Sequence, residues 1–269
     1  MTGSKLEGVR IVLVDTSHPG NIGAVARAMW AMGLARLSLV RPKGFPSAEA
    51  TVRAAGADAL LVHAEVCDSL ETALADCAWV VGTSVRSRRL PLPRLTPRGF
   101  AAQAVEEARR GQVALVFGRE QAGLSNRELD QCQAVASVAT NPDFNSLNLA
   151  AAVQVFTYEL QLAFCDGTPD SAPGSPDKGA GATTAAELEG LYTHLEQALT
   201  DIGYYDRKAP KLLMRRLRHF YGRARPDRTE LNILRGILTA SQRAAGKSRD
   251  AGTDSKSVPD LKIRELARS

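Results

Sequence analysis

The sequence predicts an α/β fold in which a parallel sheet is covered by helices on both faces and is followed by a small helical domain. Over the first two-thirds of the chain, short apolar runs rich in β-branched residues alternate with helical patterns. These runs are apolar throughout, so the sheet should be buried on both faces. A stretch rich in Pro, Gly, Ser and Asp then separates this region from a purely helical one.

The expected strands are Val9–Val14, Leu37–Val40, Leu60–His63, Trp79–Gly82, Val113–Phe117 and Ala134–Val138. Helices are expected at Asn21–Met32, Glu49–Ala55, Ser69–Ala75, Gly99–Arg109, Leu147–Phe164, Ala185–Asp201, Ala209–Tyr221 and Arg228–Ala245. We therefore expect an α/β domain over residues 1–165, a flexible linker over 166–184, a helical extension over 185–245 and a disordered tail over 246–269.

The composition is that of an ordinary globular protein, with 44% hydrophobic residues and a net charge of +5 in 269 residues. The four cysteines lack any spacing typical of zinc sites or disulfides, which indicates reduced thiols and no bound metal. No apolar run approaches the ~20 residues that span a bilayer, and the start lacks an apolar signal core. A cytoplasmic protein without a membrane partner is expected.

The sequence lacks the motifs that are typical of several enzyme classes. The sequence has no G-x-G-x-x-G after a strand, no Walker A loop and no H-E-x-x-H, which disfavours dinucleotide-binding, nucleotide-hydrolysing and zinc-protease readings. The four histidines do not cluster with a serine or cysteine nucleophile, so a hydrolase is also disfavoured. What remains is a set of polar loops that contain glycine and follow the expected strands, where open α/β sheets bind ligands.

Two of these loops place an arginine where it could pair with an anionic ligand. The first runs from Asp15 through Gly23 and leads into a helix that carries Arg27. The second follows Val80–Gly82 and contains Thr83, Ser84 and Arg86. Helix amides and arginines favour anionic ligands. On spacing alone, the first loop is more often only a helix cap, with Arg27 a solvated side chain. For the second loop, a basic surface loop without a ligand is as common as a binding site.

The other two loops are rich in small and amide-bearing residues. One contains Gly118, where a strand gives way to a loop that can pack against a flat heterocycle, and Ser125, which is expected to cap a short helix. The last runs from Ala139 to Leu149, and either Asn145 or Ser146 is expected to cap the following helix. Capping alone does not explain the number of polar residues in this loop.

In combination and order, three stretches resemble the signature motifs of the SPOUT methyltransferase superfamily: Asn21–Arg27, Leu115–Glu120 with Gly123-Leu124, and Asn145–Asn148. Within it, Ile11–Asn21, Val80–Arg88, Ala224–Asp227 and Glu230–Leu238 are similar to the TrmJ family of tRNA cytidine/uridine-32 2′-O-methyltransferases. The resemblance covers about residues 8–165 and 185–240.

The resemblance implies a carboxyl-terminal trefoil knot, a homodimer with a shared active site, S-adenosylmethionine as cofactor and tRNA as partner. It implies no metal. Carried over residue by residue, it assigns cofactor binding to Thr83, Ser84, Val85, Gly118, Val138, Asn145, Ser146 and Leu147. Val85 and Asn145 depart from the small residue and the serine that the family leads us to expect, but both can keep backbone contacts.

The resemblance also assigns Arg27 of the partner subunit and Ser146 to catalysis. A ribose 2′-hydroxyl is a poor nucleophile until its proton is removed, whereas a sulfonium is already a good methyl donor. An arginine is an unusual base because its guanidinium stays protonated. Orienting the hydroxyl and stabilising the developing alkoxide is the more cautious role for Arg27, with Ser146 positioning the ribose.

RNA contacts are expected from basic residues in two regions. These residues are Arg86, Arg88, Lys211, Arg215, Arg216 and Arg218. Aromatic residues interleave with the second group and can stack on unpaired bases. We expect Leu212, Leu213, Leu217 and Phe220 to form the core face of that helix.

Alternative functions remain at this point. A 2′-O-methyltransferase for another tRNA or ribosomal RNA site would share the same motifs, although the carboxyl-terminal similarity favours position 32. A noncatalytic RNA-binding protein is disfavoured by the presence of Arg27, Gly118 and Ser146, and a base-modifying enzyme by the Asn21–Arg27 motif.

Overall fold

The computed structural model describes residues 6–85, 92–141, 143–144, 146–166, 182–208 and 212–251. Its strands form one seven-stranded sheet in the order β3-β2-β1-β6-β4-β7-β5, and every pairing is parallel. The predicted parallel sheet is therefore confirmed.

The strands are β1 Val9–Val14, β2 Arg36–Val40, β3 Glu65–Cys67, β4 Cys77–Thr83, β5 Arg94–Leu95, β6 Gln112–Phe117 and β7 Ala134–Ala136. The helices of the α/β region are α1 Pro19–Ala31, α2 Ala48–Ala54, α3 Asp58–Val62, α4 Leu70–Leu74, α5 Pro97–Ala108, α6 Asn126–Leu129 and α7 Leu149–Asp166. The helical region contains α8 Ala185–Asp201, α9 Leu213–Ala224 and α10 Arg228–Ala251.

Helices cover both faces of the sheet, as the unbroken apolar strands predict. One face packs against α1, α2, α3, α5 and α7, with Trp79 stacked on Phe100 at 5.7 Å between ring centroids. The other face packs against the short helices α4 and α6, and Ala185 at the start of α8 contacts this second cluster. Burial of this apolar area is the main source of stability.

The prediction of a strand at Leu60–His63 is wrong, because this segment is helix α3 followed by its C-cap His63. Leu60 and Leu61 are buried, whereas Val62 is 78% exposed, a pattern that a strand buried on both faces does not give. The edge strands β3 and β5, of three and two residues, were not predicted. Helix α10 also extends past the predicted end at Ala245.

The helical region packs on the α/β domain through polar contacts. Arg225 at the end of α9 forms an ion pair with the buried Glu107 of α5, and Arg215 of α9 pairs with Asp130. Within the helical region itself, Thr183 Oγ1 donates a hydrogen bond to the carbonyl of Pro226 at 2.6 Å. Helix α8 contacts β4 and α4. Of the linker predicted over 166–184, residues 167–181 lie outside the described residues.

The expected core face of α9 is wrong in part. Leu212 and Phe220 are 55% and 54% exposed, whereas His219 on the opposite side of the helix is 4% exposed. The reason is that this side of α9 faces acidic groups, including Asp130 of the α/β domain.

Within the described residues, no helix combines the length and apolar character needed to cross a membrane, and no group of His, Cys, Asp and Glu side chains could hold a metal ion. All four cysteines are free thiols.

Candidate active site

A cavity of about 300 Å³ lies at the carboxyl ends of β4, β6 and β7, beside the start of α7. It is lined by Thr83, Ser84, Val85, Phe117, Gly118, Arg119, Glu120, Gln121, Ala122, Gly123, Ala136, Ser137, Val138, Thr140, Ser146, Leu147, Leu149, Ala152 and Phe156. Its volume is at the lower end of the range of small-molecule sites. The lining combines an apolar floor with main-chain and hydroxyl groups from three loops.

The loop after β6 folds back tightly on itself at Gly118. A Cβ atom at this position would lie 2.2 Å from the carbonyl carbon of Gly123 and 2.3 Å from the nitrogen of Leu124. No side chain fits in that space, so glycine is required there. The hairpin is closed by a hydrogen bond from the Gly123 amide to the Arg119 carbonyl, 2.8 Å in length. The result is a rigid main-chain wall on one side of the cavity.

Glu120 joins three of the four loops that the sequence singled out. Its carboxylate accepts hydrogen bonds from Ser17 Oγ at 3.0 Å and from Asn21 Nδ2 at 3.0 Å. Asn21 Oδ1 in turn accepts one from Asn148 Nδ2 at 3.1 Å. Burial by itself raises the pKa of the Glu120 carboxyl, but the hydrogen bonds from Asn21 and Ser17 outweigh it and hold the pKa at about 2. Glu120 is therefore a fixed anion that holds the start of α1 and the start of α7 beside the β6 loop.

A second charged network fixes the other side of the β6 loop. Arg119 donates to both carboxylate oxygens of Glu128 at 3.0 Å and also pairs with Asp15. Asp15 is bound by Arg41 from its other side, and these hydrogen bonds from Arg41, opposed by burial, lower the pKa of Asp15. Asp15 and Arg41 have φ values of +49° and +47°. These left-handed positions cost energy in residues other than glycine, and the ion pairs offset that strain.

The N-terminus of α7 is capped by Asn148. Its Oδ1 accepts hydrogen bonds from the amides of Ala150 and Ala151 at 2.9 and 3.4 Å. Ser146, one of the two residues expected to cap this helix, instead lines the cavity. Asn145, the other one, lies outside the described residues.

Two family models match the chain. The SpoU rRNA methylase family matches residues 8–158, and the carboxyl-terminal domain of the tRNA methyltransferase TrmJ matches residues 186–250. The first match spans the α/β domain that contains the cavity, and the second spans the helical region.

Individual relatives match over nearly the whole chain. A tRNA (cytidine/uridine/adenosine-2′-O-)-methyltransferase TrmJ of Pseudomonas aeruginosa is 50% identical over 251 residues, which cover 89% of this chain and 96% of the relative. A tRNA (cytidine/uridine-2′-O-)-methyltransferase TrmJ of Yersinia pestis is 44% identical over 91% of this chain and its own full length. The chain belongs to the TrmJ family. The resemblance stated from the sequence is confirmed.

Solved structures agree with this family assignment. The crystal structure of TrmJ from Z. mobilis ZM4 superposes with a TM-score of 0.74 at 34% identity, covering 86% of this chain and 97% of that one. A probable methylase family protein of Haemophilus influenzae Rd KW20 gives a TM-score of 0.60 at 38% identity, covering 90% and 99% of the two chains.

The structure brings together seven of the eight residues predicted to bind the TrmJ-family cofactor. Thr83, Ser84, Val85, Gly118, Val138, Ser146 and Leu147 all line the one cavity. Thr83 uses its hydroxyl internally, since Oγ1 donates to the carbonyl of Val116 at 3.0 Å. Main-chain groups and the remaining hydroxyls are therefore left for a ligand. The assignment itself stays a prediction.

Arg27 does not line this cavity. It lies on the exposed side of α1, on the same helix face as Trp30, which is 52% exposed. This position agrees with a role that requires another subunit, but the role stays a prediction.

The predicted RNA-binding residues occupy different environments. Arg215 Nε donates to Asp130 Oδ1 at 2.7 Å, and Arg218 pairs with Glu189 and lies over the ring of Tyr192. Arg216 is exposed. Arg86, Arg88 and Lys211 lie outside the described residues.

Sequence reasoning missed the connecting role of two residues. Arg119 was not singled out, and Asn148 was noted without a function. The signal for Asn148 was present, because an asparagine directly before Leu149-Ala-Ala is a typical N-cap. No local signal shows that Arg119 pairs with Asp15, which is distant in the sequence.

Proposed function

We propose that this protein transfers a methyl group from S-adenosylmethionine to the ribose 2′-hydroxyl of cytidine or uridine at nucleotide 32 of tRNA. The observation that carries the proposal is the cavity built from the loops after β4, β6 and β7, whose lining includes residues that the family resemblance assigned to the cofactor. Membership in the TrmJ family supports the reaction and the tRNA substrate.

The cavity fits the cofactor by its chemistry. The tight hairpin at Gly118 presents main-chain groups without a side chain in the way, so a flat adenine can lie directly against the main chain. Phe117, Leu149 and Phe156 supply apolar surface. Ser84, Ser137 and Ser146 supply hydroxyl groups for the polar edges of the ligand. Asn145 completes the proposed set.

When bound, S-adenosylmethionine supplies an electrophilic methyl group. The residues of the chain then need to orient the ribose and accept or redirect its proton. Ser146 lies at the edge of the cavity, is exposed and positions the ribose. The partner subunit's Arg27 orients the 2′-hydroxyl and stabilises the alkoxide that develops as the proton leaves.

The exposed apolar surface of α1 and α7 supports the proposal of a homodimer. Along α7, one outward face carries Ala151, Val155, Tyr158, Leu162 and Cys165 at i, i+4, i+7, i+11 and i+14. Tyr158 is 50% exposed, and α1, which packs against α7, adds the exposed Trp30. Apolar helix faces of this kind are typical of subunit interfaces. Arg27 lies on this side of α1, so dimerisation would carry it toward the second subunit.

The trefoil knot belongs to the same proposal, because it is a property of the SPOUT superfamily. It would form where the segment after β7 and helix α7 thread through an earlier loop.

The decisive test is methyl transfer from labelled S-adenosylmethionine to unmodified tRNA transcripts, with the product mapped by nuclease digestion and mass spectrometry. Transcripts with C, U, A or G at nucleotide 32 define the accepted bases. A 2′-O-methyl group at nucleotide 32 is expected. A methyl group elsewhere would overturn the position, and absence of cofactor binding would overturn the enzyme.

The shared site can be tested by mixing two inactive variants, Arg27→Ala and Ser146→Ala. If the partner subunit's Arg27 completes each site, the mixed dimer contains one intact site. Random exchange of subunits should then restore about a quarter of wild-type turnover. No recovery, with light scattering confirming mixed dimers, would place Arg27 in its own subunit's site. Nearly full turnover by Arg27→Ala alone would remove it from catalysis.

A further inference from the structure

Helix α9 packs with its charged side inward. Arg215 pairs with Asp130, Arg218 pairs with Glu189, and His219 is 4% exposed with its Nε2 3.5 Å from Asp130 Oδ1. Gly222 is buried on the same side, facing Gln133. The acidic groups of the α/β domain and of α8 thus hold this helix through its arginines, and its apolar side is left facing outward.

The outward side carries Leu213, Leu217, Phe220 and Ala224, at i, i+4, i+7 and i+11 of one helix face. Leu213 and Leu217 are half-buried, and Ala224 is exposed. Phe220 is 54% exposed. Arg216 and Arg223 are exposed beside this row. We call the surface formed by Leu213, Arg216, Leu217, Phe220 and Arg223 the α9 ridge.

The ridge is basic as well as apolar. Residues 212–226 contain five arginines and no acidic residue. Within the described part of the chain, Arg216 and Arg223 form no ion pair, in contrast to Arg215, Arg218 and Arg225. A phosphate can therefore contact Arg216 and Arg223 without displacing a carboxylate of the protein.

The ring of Phe220 is held in place by its neighbour. Tyr221 contacts it edge-on, with ring centroids 5.2 Å apart and an interplanar angle of 78°. Tyr221 is itself half-buried against the core that α8 and α10 share. The exposed face of Phe220 is therefore presented without a large loss of side-chain entropy on binding.

We propose that the α9 ridge binds an unpaired stretch of the RNA substrate, with one base stacked on Phe220 and the flanking phosphates contacting Arg216 and Arg223. The inference rests on the proposed function, which makes RNA the partner. Stacking needs an exposed ring and an unstacked base. A continuous duplex offers no open base face, and its surface has no group that would pack against an apolar row. An apolar protein partner would have to cover two arginines without neutralising them.

The assignment divides the predicted RNA-binding arginines into two groups. Arg216 contacts RNA, together with Arg223, which the sequence did not single out. Arg215 and Arg218 dock α9 onto the rest of the protein, and Phe220 supplies the stacking surface.

The test is fluorescence anisotropy of the full-length protein with a labelled RNA hairpin that has an unpaired loop, and with a blunt duplex of equal length. Phe220→Leu keeps apolar volume without a ring, and Phe220→Tyr keeps the ring. Phe220→Leu should weaken binding of the hairpin by about tenfold, within the range for losing one base–aromatic stack. Phe220→Tyr should bind like the wild type, and the duplex should not distinguish the three proteins.

The salt dependence separates the two kinds of contact. Arg216→Gln with Arg223→Gln should lower the slope of log affinity against log salt by about 1.4, which is about 0.7 for each phosphate contact on a single strand. Phe220→Leu should leave the slope unchanged. Ile237→Ala, at an apolar position of α10 with 57% exposure, is the matched control and should bind as the wild type does.

Equal hairpin affinity of Phe220→Leu and the wild type would overturn this inference. A change in oligomeric state of Phe220→Leu without RNA, measured by light scattering, would do the same by making the ridge a protein interface. If the wild type methylates tRNA while Phe220→Leu binds normally, only this inference fails. If the wild type binds neither tRNA nor hairpin, the proposed substrate fails with it.

Discussion

The cavity edge of the sheet and the helical extension both use arginine–carboxylate pairs, but the pairs do different things. At the cavity edge, Arg119 links Asp15 and Glu128 and fixes loops that the sheet has already brought together. In the extension, Arg215, Arg218 and Arg225 hold the inward side of a whole helix. The first set refines the position of atoms, and the second decides which face of α9 is outside.

This difference teaches that amphipathic pattern alone does not orient a helix. In α7 the fully buried residues Val153, Phe156 and Leu160 face the core, as periodicity predicts. In α9 the charged side can face inward because Asp130 and Glu189 neutralise its arginines. The apolar row therefore faces outward. Paired arginines can therefore substitute for apolar residues as the docking side of a helix.

The largest expected effect is at Gly118. Gly118→Ala would place a methyl group 2.2 Å from the Gly123 carbonyl carbon, so the hairpin has to open. We expect about 3 kcal/mol lower free energy of unfolding in urea and loss of cofactor binding by calorimetry. Gly236→Ala, in open space on α10, is the matched control and should raise stability by about 0.5–1 kcal/mol. Normal cofactor affinity in Gly118→Ala would contradict the rigid wall.

The next effect concerns docking of the extension. Arg225→Ala removes the main ion-pair partner of Glu107. The Glu107 side chain is only 4% exposed, so its carboxylate would be left buried without that partner. We expect a loss of about 2 kcal/mol in the free energy of unfolding, with the cofactor affinity of the cavity unchanged. Urea unfolding together with cofactor titration measures both. If cofactor affinity fell along with the free energy of unfolding, docking of the helical extension and the shape of the cavity would not be independent.

A smaller effect is expected at Glu120. Glu120→Gln keeps the side-chain volume but replaces the carboxylate, whose oxygens accept hydrogen bonds from Ser17 and Asn21, with a neutral amide. We expect about 1 kcal/mol lower stability and a fall in kcat that exceeds any rise in KM for tRNA, since the starts of α1 and α7 lose their fixed spacing. Unchanged kcat would show that this network is dispensable for catalysis.

The smallest effect is a pH dependence at His219. Burial lowers the pKa of His219, against the opposing field of Asp130 and with help from Arg215 and Arg223. The folded state thus favours neutral His219. As pH falls below the usual histidine value of about 6.5, the unfolded state takes up the proton first and stability is lost.

The melting temperature should therefore fall between about pH 7.5 and about pH 5.5, and the fall should be smaller in His219→Gln. The carboxyls with lowered pKa, such as Glu120 at about 2, titrate below this window. An identical fall in both proteins would remove His219 as the cause.

The sequence by itself determined the α/β class, most of the strands, the bounds of α8 and the loops that meet at the cavity. Apolar runs such as Val113–Phe117 are local signals, and parallel connectivity places the following loops at one edge. Family resemblance added the roles that periodicity could not supply.

Only the tertiary structure decided the rest. The segment Leu60–His63 was ambiguous because a short apolar run fits either a strand or a helix. Arg119 pairs with Asp15, which is far away in the sequence. Phe220 faces outward because α9 is oriented by contacts such as that of Arg215 with the distant Asp130. Electrostatic contacts of this kind are set by distances in the folded chain, and no local pattern contains those distances.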